Sequence, residues 1–381
     1  MSQLNKVPFF RSAVDESDVE RVSSVLRTNF LTTGQVTADF ESKLADYTNT
    51  GFAVGTMSCT SSMHLCLIAM GVGPGDEVVT TPMSFVATAN VIFHVGARPV
   101  FADVDLDTGN LAPEQVEAAV TERTKAIIPV HLYGQMCDME AIGEIAGNYN
   151  LHVIEDAAHA LEARRNDYGL GSHSNAACLS FYATKNITSG EGGAVVTNDE
   201  SLADRLRTLR LHGMSADAAD RYTGLYRHYD VVNAGWKANM NNIQAALAIG
   251  QLERIAQLHR LRINAYNFYH ESFAKVQGIA LMRRIDNLRH AAHLFTIRVD
   301  PDVRDAFLHG LQERGIGVAV NFRPIHLMSH YESNYGCFEG QYPNAEAIGS
   351  STISLPLFPG ITIDEQQQVI DAVADIAAEL G

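Results

Sequence analysis

A lysine between a predicted strand and a glycine-rich turn is the first residue that could do chemistry. Residues 180–195 read SFYATKNITSGEGGAV, so Lys185 follows a β-rich run and precedes three glycines. A buried lysine whose amine is neutral is a nucleophile that forms Schiff bases, and it can also carry protons. Ser180 at the strand end and the close turn that the glycines permit favour this interpretation. The alternative is a surface lysine in a loop, the usual place for a lysine considered by itself.

A second candidate is the aspartate that ends the predicted strand at residues 152–156. The stretch HVIEDAAHA places Asp156 at the carboxyl tip of that strand, where open α/β sheets bind ligands. A carboxylate there can keep the pyridine nitrogen of pyridoxal phosphate protonated, and such a charge pair is worth on the order of 4 kcal/mol. The alternative is an aspartate that caps a helix formed by the following residues, AAHALEA. His159 either contacts the ring oxygen of that cofactor or is a packed histidine.

Four hydroxyl residues follow the predicted strand at residues 52–56 and precede an apolar helix. They are Ser58, Thr60, Ser61 and Ser62, within FAVGTMSCTSSMHLCLIAMGV. The N–H groups at a helix N-terminus and neighbouring hydroxyls form an anion site that suits a phosphate. Ordinary N-capping is the alternative. The segment lacks the glycines and the lysine of a Walker loop, and no GxGxxG motif follows a predicted strand.

Short β-rich runs that alternate with amphipathic stretches surround these candidates. Helical patterns occur at Pro113–Val120 and Met139–Tyr149. The alternation predicts an α/β fold with a mainly parallel sheet between helices. The predicted strands are Phe52–Thr56, Glu77–Thr81, Pro99–Ala102, Ala126–Val130, His152–Asp156, Cys178–Phe181 and Ala194–Thr197.

A long helical tract at residues 242–273 changes the pattern. We therefore predict a large α/β domain at residues 1–250 and a smaller C-terminal α/β domain at residues 251–381. The smaller domain is predicted to contain a strand and two further helices, at Leu294–Val299, Val303–Arg314 and Asp364–Leu380.

Composition limits the classes of protein. A chain of 381 residues that is 46% hydrophobic can form a large core, and its formal net charge of −16 disfavours binding to nucleic acid or to an anionic membrane. Five scattered cysteines without a CxxC pair indicate a reduced chain with neither a disulfide framework nor a zinc site. The first residues, MSQLNKVPFF, lack the apolar run of a signal peptide, and no run is long enough for a membrane span. We expect a cytoplasmic protein.

Ordered motifs over nearly the whole chain resemble one family. The chain is similar to the sugar-nucleotide aminotransferases among the fold-type I pyridoxal-phosphate (PLP) enzymes. Its nearest resemblance is to the branch that includes UDP-4-amino-4-deoxy-L-arabinose aminotransferase. The motifs are FLTTG (30–34), TKAIIPVHLYG (124–134), EDAAHA (155–160), FYATKN (181–186), LHGMSADAADRY (211–222), GWKANMNNIQAA (235–246), GIGVAVNFRPIH (315–326) and SLPLFP (354–359).

The resemblance implies a role for several motif residues. It makes Lys185 the lysine that binds PLP and Asp156 the partner of the pyridine nitrogen. His159 contacts the ring oxygen, as in the arabinose-type branch. The other cofactor contacts that it implies are Thr60, Ser61 and Ser180 at the phosphate and Phe85 stacked on the ring.

The resemblance also implies a shared active site. The family supplies a phosphate contact from the neighbouring subunit, commonly Asn or Lys, and that position is Lys237 here, which implies a homodimer. Thr33, Arg323 and His326 are candidate substrate contacts, with a surface or structural role as the alternative for the last two. Cys59 and Ser62 replace the small residues often found beside the phosphate. Residues 164–174, near the nucleotide sugar, match the usual glycine turn only loosely.

The implied activity is amino transfer from glutamate to a keto sugar of a nucleotide diphosphate. The branch favours C4 as the aminated carbon, in amino-sugar biosynthesis such as that of cell-surface polysaccharide or lipopolysaccharide. One alternative is a PLP-dependent sugar dehydratase, which typically has histidine in place of the lysine, so Lys185 argues against it. Another is a non-catalytic PLP-binding regulatory protein of the same fold. The intact set of Lys185, Asp156 and Ser180 argues against that alternative.

Overall fold

A seven-stranded sheet lies at the centre of the first two thirds of the chain. The computed structural model describes residues 6–215 and 228–380, and part of the LHGMSADAADRY motif lies outside them. The strand order is β1-β8-β7-β5-β4-β2-β3, and all neighbours are parallel except β8, which is antiparallel to β1 and β7. The first eight strands are β1 (Phe52–Thr56), β2 (Glu77–Thr80), β3 (Arg98–Phe101), β4 (Thr124–Ile128), β5 (His152–Asp156), β6 (Arg164–Arg165, outside this sheet), β7 (Ala176–Ser180) and β8 (Gly193–Thr197).

Helices cover both faces of this sheet. Neighbouring residues of β4 point to opposite faces: Ile127 packs in one apolar cluster and Ile128 in the other. Buried residues of α2, α6 and α8 belong to the first cluster, and those of α3, α4 and α7 belong to the second. The helices are α1 (Glu16–Leu26), α2 (Gln35–Thr48), α3 (Cys59–Ala69), α4 (Ala87–His94), α5 (Pro113–Ala118), α6 (Met139–Tyr149), α7 (Glu200–Leu209) and α8 (Asn242–Glu253).

Capping residues set the ends of several of these helices. Asp138 and Asp199 accept hydrogen bonds from backbone N–H groups in the first turns of α6 and α7. Asn49 and Asn150 adopt the left-handed conformation at the ends of α2 and α6, where the chain must turn away from the helix. Short polar residues therefore determine where these helices begin and end.

The C-terminal third forms a second, smaller sheet of three antiparallel strands in the order β12-β11-β9. Its core contains Tyr269, Phe295 and Phe307, and Val7 joins the same cluster. The Val7 N–H donates to the Gly315 carbonyl at 3.0 Å, so the beginning of the chain packs here. The remaining elements are α9 (Ile255–Phe273), β9 (Ala280–Leu281), β10 (Leu288–Arg289, paired with β6), β11 (Phe295–Arg298), α10 (Arg304–Glu313), α11 (Ser329–Tyr335), α12 (Pro343–Ser351), β12 (Thr352–Leu355) and α13 (Ile363–Leu380).

The predicted α/β fold and its mainly parallel sheet are confirmed, with most strand ends within two residues of the prediction. The predicted helical tract at residues 242–273 consists of two helices that meet at Arg254. The backbone of Arg254 has φ −102° and ψ 7°, and its guanidinium donates to both carboxylate oxygens of Asp18, at 3.0 and 2.8 Å. The contact between Arg254 and Asp18 thus stabilises the break between the two helices. The domain division near residue 250 stays a prediction. No helix in the described part of the chain is long and apolar enough to cross a membrane.

Candidate active site

A cavity of about 490 Å³ opens at the carboxyl ends of β5 and β7. Residues of the large sheet and its helices form one wall, and segments around His293, Phe322 and Leu355 form another. Six of the predicted cofactor residues line this cavity together: Thr60, Phe85, Asp156, His159, Ser180 and Lys185. The parallel arrangement explains this convergence, since the carboxyl ends of the strands meet at one edge of the sheet.

Lys185 lies in a loop that folds back between β7 and β8. The Phe181 N–H donates to the Gly192 carbonyl at 2.9 Å, and the Ser189 N–H donates to the Phe181 carbonyl at the same distance. These bonds close the loop and turn Lys185 into the cavity rather than toward the outer surface. Burial lowers the pKa of the Lys185 amine to about 8, although the negative charge of Asp156 opposes the shift. A large fraction of this amine is therefore neutral near pH 8, as a nucleophile requires.

The Asp156 carboxylate is held at both oxygens. Oδ2 accepts a hydrogen bond from the Thr88 hydroxyl at 2.8 Å, and Oδ1 accepts one from the Ala158 N–H at 3.2 Å. The helix that the capping alternative requires is not formed, because residues 157–163 make turns. Asp156 therefore does not cap a helix in its own segment. Its buried carboxylate lines the cavity together with Lys185.

The N-terminus of α3 forms the third side of the site. Ser58 caps this helix by accepting from the Ser61 N–H at 3.1 Å, so ordinary N-capping does occur at Ser58. Thr60 lines the cavity, whereas the Ser61 hydroxyl lies 2.9 Å from that of Ser58 and is not among the lining residues. Gly193 makes this arrangement possible, because a Cβ there would lie 2.3 Å from the Ser58 carbonyl carbon. The start of α3 thus presents Thr60 and the N–H groups that Ser58 does not cap as an anion site.

His159 is neutral, and one of its ring nitrogens can be identified as the hydrogen-bond donor. Burial lowers its pKa well below the usual value, and the Lys185 charge adds to the shift. Its Nδ1 accepts from the Tyr133 N–H at 3.3 Å, so the ring proton is on Nε2, which is free to donate. The ring is parallel to that of Phe322, with centroids 6.0 Å apart. Phe85 lines the same cavity and is 60% exposed.

Four other predicted residues lie outside this cavity. Lys237 is exposed and pairs through its backbone with Leu211. The buried Thr33 hydroxyl donates to the Met240 carbonyl at 2.5 Å. Arg323 is exposed and donates to the Leu327 carbonyl at 2.6 Å. His326 is fully buried with Nε2 2.8 Å from Glu346, which favours the structural alternative for this histidine. The substrate contacts stay predictions.

Sequence reasoning missed Thr88 and His293, both of which belong to the site. Thr88 lies in α4 and reaches Asp156 only because α4 packs beside the sheet. His293 lines the cavity from a segment far along the chain. Thr88 lies three residues after Phe85, and His293 lies just before the predicted strand at Leu294–Val299, but no local signal marks either residue as part of the site. Phe322 and Asn321 also line the cavity, and both lie in the motif GIGVAVNFRPIH.

Comparison with known proteins gives consistent matches. The sequence model of the DegT/DnrJ/EryC1/StrS aminotransferase family matches residues 12–374. The spore coat polysaccharide biosynthesis protein SpsC of Bacillus subtilis is 41% identical over 377 residues, which cover 97% of both chains. The UDP-4-amino-4-deoxy-L-arabinose–oxoglutarate aminotransferase of Shewanella sediminis is 39% identical over 381 residues, covering 97% of this chain and 98% of that one. The PLP form of Spr1654 from Streptococcus pneumoniae, a sugar aminotransferase candidate, has a TM-score of 0.91 at 29% identity, with 98% and 99% of the two chains covered.

Fold and cavity together define a PLP-dependent enzyme of fold type I. The chain belongs to the DegT/DnrJ/EryC1/StrS aminotransferase family, and it is a sugar aminotransferase whose cofactor is PLP. The residues of the cavity fit this cofactor. An amine of lowered pKa, a buried carboxylate and a helix N-terminus correspond to its aldehyde, its pyridine nitrogen and its phosphate.

The lowered pKa of Lys185 predicts how the apoenzyme takes up PLP. Only the neutral amine attacks the aldehyde, so the rate of covalent uptake should rise with pH and level off above about 8. An ordinary lysine would level off only above its usual pKa near 10.5. Stopped-flow absorbance of the lysine-bound cofactor measures this profile. Asp156→Asn should move the plateau to lower pH, because the Asp156 charge favours the ammonium form. A rate that still climbs at pH 10 would contradict the assigned pKa.

Proposed function

We propose that the enzyme transfers the amino group of glutamate to the keto carbon, at C4, of a nucleotide-diphosphate sugar. The observation that carries the proposal is one cavity with Lys185 and Asp156 at the edge of the parallel sheet. The name of the Shewanella sediminis relative supports a UDP-linked 4-amino sugar and oxoglutarate as reaction partners. The name of SpsC supports a role in polysaccharide synthesis. A cytoplasmic location and the two-domain division near residue 250 belong to the same proposal.

Four parts of the site have distinct tasks in this proposal: Lys185, Asp156, His159 and the first turn of α3. When bound, PLP supplies an electron sink that stabilises negative charge on the carbon that loses a proton. The Lys185 amine holds the cofactor and then moves a proton to and from the reacting carbon. Asp156 keeps the proton on the pyridine nitrogen, and Thr88 and Ala158 orient its carboxylate. The His159 Nε2–H would be the donor for the ring oxygen, and the first turn of α3 would hold the phosphate.

A panel of keto-sugar nucleotides tests which nucleotide and which keto position the enzyme accepts. UDP-, dTDP- and GDP-linked 4-keto and 3-keto sugars would be incubated with the PLP-loaded enzyme and glutamate, and amino-sugar products separated by mass. We expect amination of a UDP-linked 4-keto sugar with one 2-oxoglutarate formed for each amino sugar. Formation of a dehydrated sugar without 2-oxoglutarate would instead indicate the dehydratase alternative. Failure to aminate any member of the panel would contradict the proposed substrate class.

We also propose a homodimer in which Lys237 reaches the PLP phosphate of the partner subunit. Lys237 belongs to a segment that runs beside the start of α3, since the Met57 N–H donates to the Ala238 carbonyl at 2.8 Å. Its side chain is exposed and does not line the cavity of its own chain. The neighbouring Trp236 is 39% exposed and contacts His64 of α3, with ring centroids 5.1 Å apart. An exposed aromatic surface beside the phosphate site is where a second subunit could pack.

Mixed dimers test this arrangement. Lys237→Ala should weaken PLP retention, because a charge-assisted bond to phosphate is among the stronger hydrogen bonds. Lys185→Ala chains mixed with Lys237→Ala chains would give one site with both changes and one with neither. Mixing two poor homodimers should therefore restore up to about half of the activity per heterodimer. Each homodimer alone is the control, and subunit exchange is verified by tagged chains. No recovery after verified exchange would show that the sites do not share Lys237.

A further inference from the structure

His293 is a buried residue of the cavity for which the mechanism above has no use. It lies in the segment between β10 and β11 and lines the cavity. Its ring packs on that of His159, with centroids 4.3 Å apart and planes inclined by 32°. His293 is therefore next to the residue assigned to the ring oxygen of PLP, and it lines the same cavity as Lys185.

The position of the ring proton of His293 follows from its neighbour Asn186. The side-chain nitrogen of Asn186 lies 2.9 Å from both carboxylate oxygens of Glu162 and 2.8 Å from the Ala291 carbonyl. All these partners accept hydrogen bonds, so the amide NH2 must face them and the amide oxygen must face His293. That oxygen is 3.0 Å from the His293 Nδ1, which must therefore donate.

A neutral His293 has no second ring proton, so its Nε2 carries a lone pair. Burial lowers the pKa of His293 well below the usual value, and the charges of Lys185 and Arg262 add to the shift. The two stacked histidines thus have opposite tautomers. His159 donates through Nε2, because its Nδ1 accepts from Tyr133, whereas His293 accepts through Nε2, because its Nδ1 donates to Asn186.

We propose that His293 Nε2 accepts a hydrogen bond from a hydroxyl group of the sugar substrate and so selects for it. This inference rests on the proposed function and names a specificity residue within that site. A lone pair on Nε2 suits a hydroxyl donor, whereas it repels the carboxylates of glutamate, which carry only acceptors at neutral pH. His293 therefore binds the sugar in the second half of the reaction and contributes little to the first half.

His293→Phe removes the acceptor and keeps an aromatic ring against His159. The dissociation constant of the amino-sugar nucleotide made in the panel above would be measured by calorimetry on the enzyme loaded with pyridoxamine phosphate, in which no amino transfer to the cofactor can occur. We expect it to rise by about 10-fold, the effect of one hydrogen bond. The rate at which glutamate converts bound PLP to pyridoxamine phosphate should stay within about 2-fold of wild type. His293→Asn, which keeps a polar group near Asn186 but withdraws Nε2, should give the same selective loss if the phenylalanine variant does not fold.

His290→Phe is the matched control. His290 is buried in the same segment, and its Nδ1 accepts from the Ala292 N–H, but it does not line the cavity. If this substitution only disturbs the segment, His290→Phe should lower the thermal stability of the enzyme without a selective loss of affinity for the amino-sugar nucleotide. Equal losses in the glutamate and sugar steps of the His293 variants, or unchanged sugar affinity, would overturn the inference. A wild-type enzyme that aminates no panel sugar would instead overturn the proposed function.

Discussion

Lys185→Ala is expected to abolish turnover while leaving the fold intact. The alanine variant has no amine to hold PLP covalently and none to move the proton at the reacting carbon. Activity should fall by at least about 10⁴-fold, since covalent and proton-transfer roles are lost together. Stability should not fall with it, because burial in the folded chain disfavours the charged form of this lysine, as its lowered pKa shows.

The measurement is steady-state turnover together with thermal unfolding and PLP content on one preparation. The variant should still bind some PLP through the first turn of α3, but without the absorption band of lysine-bound cofactor. Lys125→Ala is the matched control, since Lys125 is an exposed lysine of β4 and lies outside the cavity. Near wild-type turnover of the Lys185 variant would remove this lysine from the chemistry.

Asp156→Asn should retain PLP and lose most of its activity. A neutral amide cannot hold the pyridine nitrogen protonated, so the ring no longer accepts electrons well. A charge pair worth on the order of 4 kcal/mol corresponds to a loss of about 10³-fold in rate. The change is small in shape, and the Thr88 hydroxyl, which donates to Asp156 in the wild type, can instead accept from the new amide.

Kinetics and unfolding measured together distinguish this role from a structural one. Asp199→Ala is the comparison variant, because Asp199 caps α7 by accepting from the Leu202 N–H at 3.1 Å. It should cost about 1 kcal/mol of stability and leave turnover unchanged. If Asp156→Asn likewise lowers stability but leaves turnover unchanged, Asp156 has no part in the chemistry.

The sheet and the convergence of Asp156 and Lys185 in one cavity were predictable because their signals are local. Buried strands such as β2 and β8 are short β-branched runs, and the residues at their carboxyl ends meet wherever such strands are parallel. Asp156 and Lys185 were singled out from their positions after strands, and both lie in the cavity. The pattern of strands was thus sufficient to bring distant residues together without any knowledge of side-chain packing.

The alternative for Asp156 failed for a physical reason that the sequence does not display. AAHALEA has good helix-forming residues, yet the Ala157 N–H donates to the Cys178 carbonyl of β7 at 2.9 Å. The chain then makes turns that direct His159 and Glu162 inward. Tertiary hydrogen bonds therefore override local propensity. The same kind of contact, between Arg254 and Asp18, holds the break between α8 and α9.

Residues that reach the site only through tertiary packing could not be predicted from the sequence. Thr88 and His293 contribute single side chains from elements whose positions depend on the whole fold. The hydrogen-bond directions that define the two histidine tautomers require the positions of Tyr133 and Asn186 as well. Such details decide which atoms donate and which accept, so the chemistry of the site depends on them even though the cofactor class does not.

The most direct test of the account is the absorption spectrum of the PLP-loaded enzyme during the two half-reactions. Glutamate alone should convert the band of lysine-bound PLP to that of pyridoxamine phosphate and release one equivalent of 2-oxoglutarate per site. A keto-sugar nucleotide added after removal of glutamate should restore the first band and yield the amino sugar. A PLP band that neither glutamate nor any other amino donor changes, in a folded enzyme with Lys185 intact, would contradict the assignment of this site to amino transfer.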